Sequence, residues 1–208
     1  STDVEKALAF QLLEVLLVGM PSSPLRKALL DSGLGEDLAG IGLENDLRQM
    51  YFSTGLKGVA SQDLDKVPEL IFSTLEALTS QGFDPKAVEA AVNTVEFELR
   101  ENNTGSLPRG LVVMIRSLTT WLYDKDPTAM LAFEEPLASI KARLDSGEKL
   151  FEHLVLQDLL DNQHQSEVIL RPDKDKGRDL EKREQNRLHQ TALALSREEM
   201  ETIRAEVD

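Results

Sequence analysis

The sequence predicts an α/β fold that is rich in helix, with a small, mainly antiparallel sheet and a charged helical arm at its C-terminal end. Three observations predict it. Most segments repeat apolar residues at helical spacing. One stretch, "DLAGIGLENDLRQMYFSTGLKGVA" (residues 37–60), changes to strand-like runs broken by glycines. After Pro172 the composition turns polar: residues 173–208 hold eight Lys or Arg and ten Asp or Glu.

The elements follow in order. "STDVEKALAFQLLEVLLVG" opens with Thr2 and Glu5 at capping-box spacing, and Leu8, Leu12, Val15 and Leu16 fall on one helical face. Pro21 and Pro24 mark a break. Pro24 suits a first helical position, and Gly33 the end of that helix. Asn45-Asp46 is the predicted turn between two strands. Helix resumes in "SQDLDKVPELIFSTLEALTSQG", with Leu64, Val67, Ile71, Leu75 and Leu78 on its inner face. Asp84 and Pro85 cap and start the next helix, which repeats Val88, Val92, Val95 and Leu99. So short a link predicts an antiparallel helix pair.

"LVVMIRSLTTWLYD" is apolar nearly all round and predicts a buried helix, with Trp121 in its packing. Tyr51-Phe52 reads as core as well. Short helices are expected at Asp126-Pro127 and Glu135-Pro136, then an amphipathic helix in "SGEKLFEHLVLQDLLDN" and a last strand in "SEVILRP". Ser196 and Glu199 form a second capping box, which starts the second of two arm helices.

The 208 residues are 41% apolar, enough to bury a core, and contain no run of 18 apolar residues. Net charge is −14, which repels phosphates and argues against nucleic acid and anionic membranes as partners. There is no Cys, hence no disulfide, thiolate metal site or Cys nucleophile. The start lacks the basic and apolar segments of a signal peptide. It also lacks Met, so the chain is expected to be a piece of something longer.

The glycine cluster Gly33, Gly35, Gly40 and Gly42 fails as a phosphate cradle. A Walker loop places glycines after a strand and ends in Lys-Ser/Thr, whereas here the order is helix, glycines, strand. A helix cap and a glycine-softened strand explain the pattern, and such a strand leaves room for another backbone to pair beside it. His153, His164 and His189 show no HExxH or HxxEH spacing, and no G-x-S-x-G elbow exists. Acid pairs such as Glu134-Glu135 and Glu198-Glu199 read as solvated helix faces. Arg109 and Arg116 flank the apolar helix as candidates for ion pairs with acids.

Three strings carry a resemblance: "PSSPLRKALLDSGLGEDLAG", "SLPRGLVVMIRSLTTWLYDKDPTAMLAFEEPL" and "KLFEHLVLQDLLDNQHQSEVILRPDKD". With the charged helical pair that follows, the chain resembles the presequence-protease branch of the pitrilysin/insulinase zinc metallopeptidases over essentially its whole length. The resemblance implies an α+β sandwich of pitrilysin type. Residues 1–172 are then a non-catalytic domain, incomplete at its N-terminus, and residues 173–208 the start of a helical-hairpin linker. The parent enzyme would close homologous domains into a chamber around an unstructured peptide and carry zinc on an HxxEH motif elsewhere. No cofactor and no catalytic residue is assigned to this chain. Its implied partners are the rest of its own polypeptide (the zinc domain and the C-terminal half) and the peptide substrate. The implied location is the cytoplasm in a bacterium, or the mitochondrial matrix or plastid in a eukaryote. In insulin-degrading relatives the second domain offers a strand edge to the substrate, and the matching positions are Leu38, Ala39, Gly40, Ile41 and Gly42. The alternative is an inactive scaffold or binding module of the same fold.

Overall fold

The computed structural model describes residues 3–102 and 105–207, apart from the side chain of Val207. The helix-rich α/β class holds: the described residues form mostly helix and one small two-stranded antiparallel sheet. Contacts divide the chain into residues 1–163 and residues 164–208.

In the first unit, α1 (Val4–Glu14) runs on as a π-helical turn over Val15–Gly19. Thr2 lies outside the described residues. The N-cap is Asp3, whose carboxylate accepts from the Lys6 amide at 2.9 Å. The predicted apolar face is too narrow: Ala7 to Phe10, Leu12, Leu13, Leu16 and Leu17 are all buried, because neighbours cover α1 on nearly every side. Helices α4 (Pro85–Glu101), α6 (Glu134–Asp145) and α7 (Leu150–Leu154) pack on α1, α2 (Pro24–Asp31) packs on the π-helical turn, and α3 (Lys66–Gln81) joins the same core through α2 and α7. They contribute Leu25, Leu29, Leu75, Ala91, Val95, Ile140 and Phe151 among others. By length and mean hydropathy alone Val4–Asp31 could cross a membrane, but half of its most apolar window is buried inside the fold. These side chains are the core.

Caps and breaks follow the local chemistry. Asp84 accepts from the Lys86 amide at 3.1 Å, with Pro85 opening α4 as predicted. Ser23, just before α2, does not cap that helix. Its buried hydroxyl donates to the Val15 carbonyl at 2.8 Å and accepts from the Met20 amide at 3.0 Å. It thus ties the π-helical turn, whose backbone groups fall out of the ordinary ladder, to the start of α2.

Strands β1 (Asp37–Glu44) and β2 (Tyr51–Lys57) pair antiparallel. The connection runs from Asn45 to Met50, longer than the tight Asn45-Asp46 turn expected, and Asp46 donates its amide to the Glu44 carboxylate. Tyr51 is exposed, against expectation, whereas Phe52 is partly buried and packs against the core. Successive residues of a strand point to opposite faces, so Tyr51 and Phe52 point opposite ways.

Two further expectations need correction. Helix α5 (Arg109–Trp121) is apolar as read, but only Thr120 is buried in it, and Trp121 is 62% exposed. Leu111, Met114, Ile115 and Leu122 are exposed too. Apolar composition says that a face must be covered, not that this chain covers it. Arg109 and Arg116 do not pair with acids in the hydrogen bonds seen. They donate to the Glu101 carbonyl and the Asn102 side chain. The Asp126 region forms a 3₁₀ turn at Ala129–Leu131, with the Asp126 carboxylate accepting from Thr128.

In the second unit, "SEVILRP" forms no strand. Val168, Ile169 and Leu170 are exposed, Leu170 by 90%, since a ladder needs a partner and the described residues give this run none. Helices α8 (Lys176–Ala194) and α9 (Arg197–Val207) follow. The second starts at the predicted capping box: Ser196 donates its amide to Glu199 at 2.8 Å, and the Glu199 amide returns to the Ser196 hydroxyl at 3.3 Å.

Because Leu17 is fully buried where the π-helical turn meets α2, Leu17→Ala leaves a cavity that the neighbours cannot close. A loss of about 2–5 kcal/mol is expected, against under about 0.5 kcal/mol for Leu170→Ala. Urea unfolding of the two variants measures the difference.

Candidate binding edge on the hairpin

The five residues singled out in the sequence all lie on β1, and the structure gives them different duties. The register pairs Leu38 with Leu56 and Ala39 with Gly55, then resumes at Gly42 with Ser53. Gly40 and Ile41 therefore stand opposite Thr54 alone, which is a β-bulge.

The bulge explains both glycines. Gly40 has φ +93°, and a Cβ there would lie 2.5 Å from the Ser53 carbonyl oxygen. Gly42 has φ +74°, and its Cβ would lie 2.0 Å from a carboxylate oxygen of Glu14. Both sites combine a left-handed backbone with a close approach, so only glycine fits. Leu38 and Ala39 are half-buried, Gly42 is buried, and Gly40 and Ile41 are exposed. Ile41 shows 61% of its surface, a large apolar side chain held out at the kink.

The amides of this strand are satisfied in an unusual way. Leu38 donates to the carboxylate of Asp37 at 2.8 Å, Ile41 to the Ser53 hydroxyl at 3.0 Å, and Leu43 to Glu14 at 3.1 Å. A strand amide lies in the sheet plane and points to one neighbour or the other. The Leu43 amide donates to Glu14 of α1, a side chain that belongs to neither strand. Side chains, which can swing away, thus satisfy amides that a strand usually gives to a neighbouring backbone.

Sequence reasoning missed Glu14. It is the last residue of α1, next to the π-helical turn that aims it at β1. Burial pushes its carboxyl above the usual range, and the Leu43 amide only partly offsets this. No cation pairs with it among the described residues. A signal was available: an acid inside "FQLLEVLLVG" has no basic residue three or four positions away.

The rest of the surface offers less chemistry. His153, His164 and His189 are exposed. Among the described residues no three His, Cys, Asp or Glu stand where they could hold a metal ion. A groove of about 580 Å³ runs between α4 and the α6–α7 link, floored by Val88, Val92, Leu144 and Phe151. Three of its charges are engaged: Lys141 with Glu96, Glu148 with Arg143 and Glu152 with the Phe83 amide.

What the geometry builds is a module with a presented strand edge. Comparison with known proteins gives its class. Residues 1–95 match the family described as the peptidase M16 inactive domain, and this segment belongs to that family. The particular relatives are presequence proteases. The chain is 45% identical, over 95% of its length, to presequence protease 1, chloroplastic/mitochondrial, of Arabidopsis thaliana. It is 30% identical over 97% of its length to the mitochondrial presequence protease of Xenopus laevis. Protein HypA of Clostridium perfringens is 38% identical over 84% of the chain. The chain spans about a fifth of these relatives, 18% of the plant protein and 20% of the frog protein. It is a non-catalytic segment of a metallopeptidase-fold protein.

The raised carboxyl of Glu14 sets a pH dependence. A group whose folded value is raised adds stability below its unfolded value and loses it as pH rises through the folded one. Glu14→Gln keeps an oxygen for the Leu43 amide and removes the half-buried charge. It is expected to raise Tm at pH 7 and to change nothing below about pH 4, where the acid is protonated in both states. Thermal melts across that range measure it; an equal shift at both ends contradicts the burial argument.

Proposed function

We propose that this chain is the non-catalytic, substrate-docking domain of a zinc metalloendopeptidase that degrades unstructured peptides in a closed chamber. Residues 1–172 form chamber wall, and residues 173–208 begin the linker between the halves. The observation that carries the reading is the bulged edge of β1, with Ile41 exposed at the kink and Leu38 to Gly42 along it, inside an M16 inactive domain. An extended peptide adds beside such an edge through backbone hydrogen bonds, which suits substrates of varied sequence.

Zinc and the peptide-bond chemistry belong to other parts of the polypeptide. The relatives support this, being named as proteases and about five times longer than the chain. The same names favour a peptidase over a bare scaffold, and the mitochondrial matrix or a plastid as the place of work.

The test uses the full-length polypeptide. Ile41→Lys places a charge on the exposed edge, a known block to strand addition, without touching the core. It is expected to raise KM about tenfold for a long unstructured peptide and to leave a short one unchanged. A chelator should stop both reactions. Equal effects of Ile41→Lys on long and short peptides would falsify the docking role.

A further inference from the structure

Glu14 is an odd residue for its position. It sits on the central apolar helix, half-buried, raised in pKa by that burial, and paired with no cation among the described residues. Among the described residues it accepts a hydrogen bond from the Leu43 amide of β1. Gly42 leaves the space through which the carboxylate reaches that amide, since any Cβ there would collide with it. A glutamine would satisfy the same amide without the desolvation of a charge. Stability therefore does not account for the acid.

We propose that Glu14 is the specificity-determining residue of the β1 edge, selecting extended peptides that carry a Lys or Arg in register with Leu43. The inference rests on the docking role of this edge. In the free protein the carboxylate occupies the place of a guest carbonyl at the Leu43 amide. A guest strand that pairs with β1 takes that amide and turns the carboxylate out. The displaced charge stays in partly desolvated surroundings with no cation beside it among the described residues. A guest ammonium or guanidinium beside it restores a charge-assisted hydrogen bond, and a neutral guest leaves the charge unpaired. The net charge of −14 further favours a cationic guest during approach. Gly42 and Glu14 act as a unit: the glycine gives the acid access, and the acid gives the edge its preference.

The experiment uses the full-length polypeptide held with chelator, so that peptide is bound and not cut. The probes are extended peptides blocked at both ends, which removes the terminal ammonium as a cation. One set carries a single Lys scanned along the sequence, and its partner set carries Gln at the same positions. Binding is read by fluorescence anisotropy for the wild-type protein, Glu14→Gln and Ile41→Lys.

The wild-type protein is expected to prefer one Lys register over its Gln partner by about tenfold. In Glu14→Gln that preference falls to within about twofold, while Gln peptides bind as well as before or better. Ile41→Lys weakens all peptides. A Lys preference that survives Glu14→Gln, or none in the wild-type protein, overturns the role of Glu14 and leaves the docking edge standing. Binding that Ile41→Lys does not disturb removes the docking edge, and this inference with it.

Discussion

The structure depends on burying the stretch from Ala7 to Leu17 on nearly all sides. Elements from both ends of the first unit converge on it, α2 to α4 from the N-terminal part and α6 and α7 from residues 134–154. Leu12, Leu16, Leu17, Leu25, Leu29 and Val155 are essentially sealed from water. A helix in that position cannot present a polar face anywhere along its middle. The polar groups it does carry are placed where something receives them. Glu5 meets Arg143, which also holds Glu148, and Glu14 meets the Leu43 amide.

The π-helical turn is where the central helix meets strand β1. A π turn widens the helix by one residue and leaves carbonyls short of partners. Ser23 accepts that cost by receiving one amide and donating to one carbonyl from its buried position. The turn follows Glu14 immediately, so the same irregularity that α2 secures also fixes where the carboxylate projects. On the other side, the bulge at Gly40-Ile41 bends β1 and brings Gly42 against Glu14. Two departures from regular structure, one helical and one in the sheet, thus meet at a single hydrogen bond. Regular helix and regular strand would not bring these groups together.

The sequence made the helices legible because their ends are written in local chemistry. Asp84-Pro85 and the Ser196–Glu199 box both appear as hydrogen bonds in the structure. The hairpin was legible from the change of period, though not its bulge, because a bulge is a relation between two strands. The failures have one cause. Trp121 and the surrounding residues of α5, and Val168 to Leu170, are apolar enough to be buried, and the chain leaves them exposed. Pattern reports the need for a neighbour and cannot say whether it is present. Of the candidate site, Leu38 to Gly42 came from the family resemblance. Glu14 was hidden because its importance lies in a partner 29 positions away.

An open strand edge is a hazard, since it can pair with any exposed backbone, including a second copy of itself. This edge is guarded in a graded way. Asp37 and Lys57 place an ion pair across one end of the hairpin, and Asp37 also takes the Leu38 amide. At the kink the Ile41 amide turns to Ser53 of β2, within the hairpin, and beyond it Glu14 takes that of Leu43. Each guard is a side chain, so each can be displaced without unfolding the strand. An exposed ion pair at the end of a hairpin is worth little and screens with salt. The Glu14 contact differs because its carboxylate is partly desolvated, so releasing it has a cost that depends on what arrives. An edge closed only by neutral groups would admit every extended backbone equally. On the proposed reading, closing it with a half-buried acid admits some guests and resists others by charge, while the pairing itself stays indifferent to sequence.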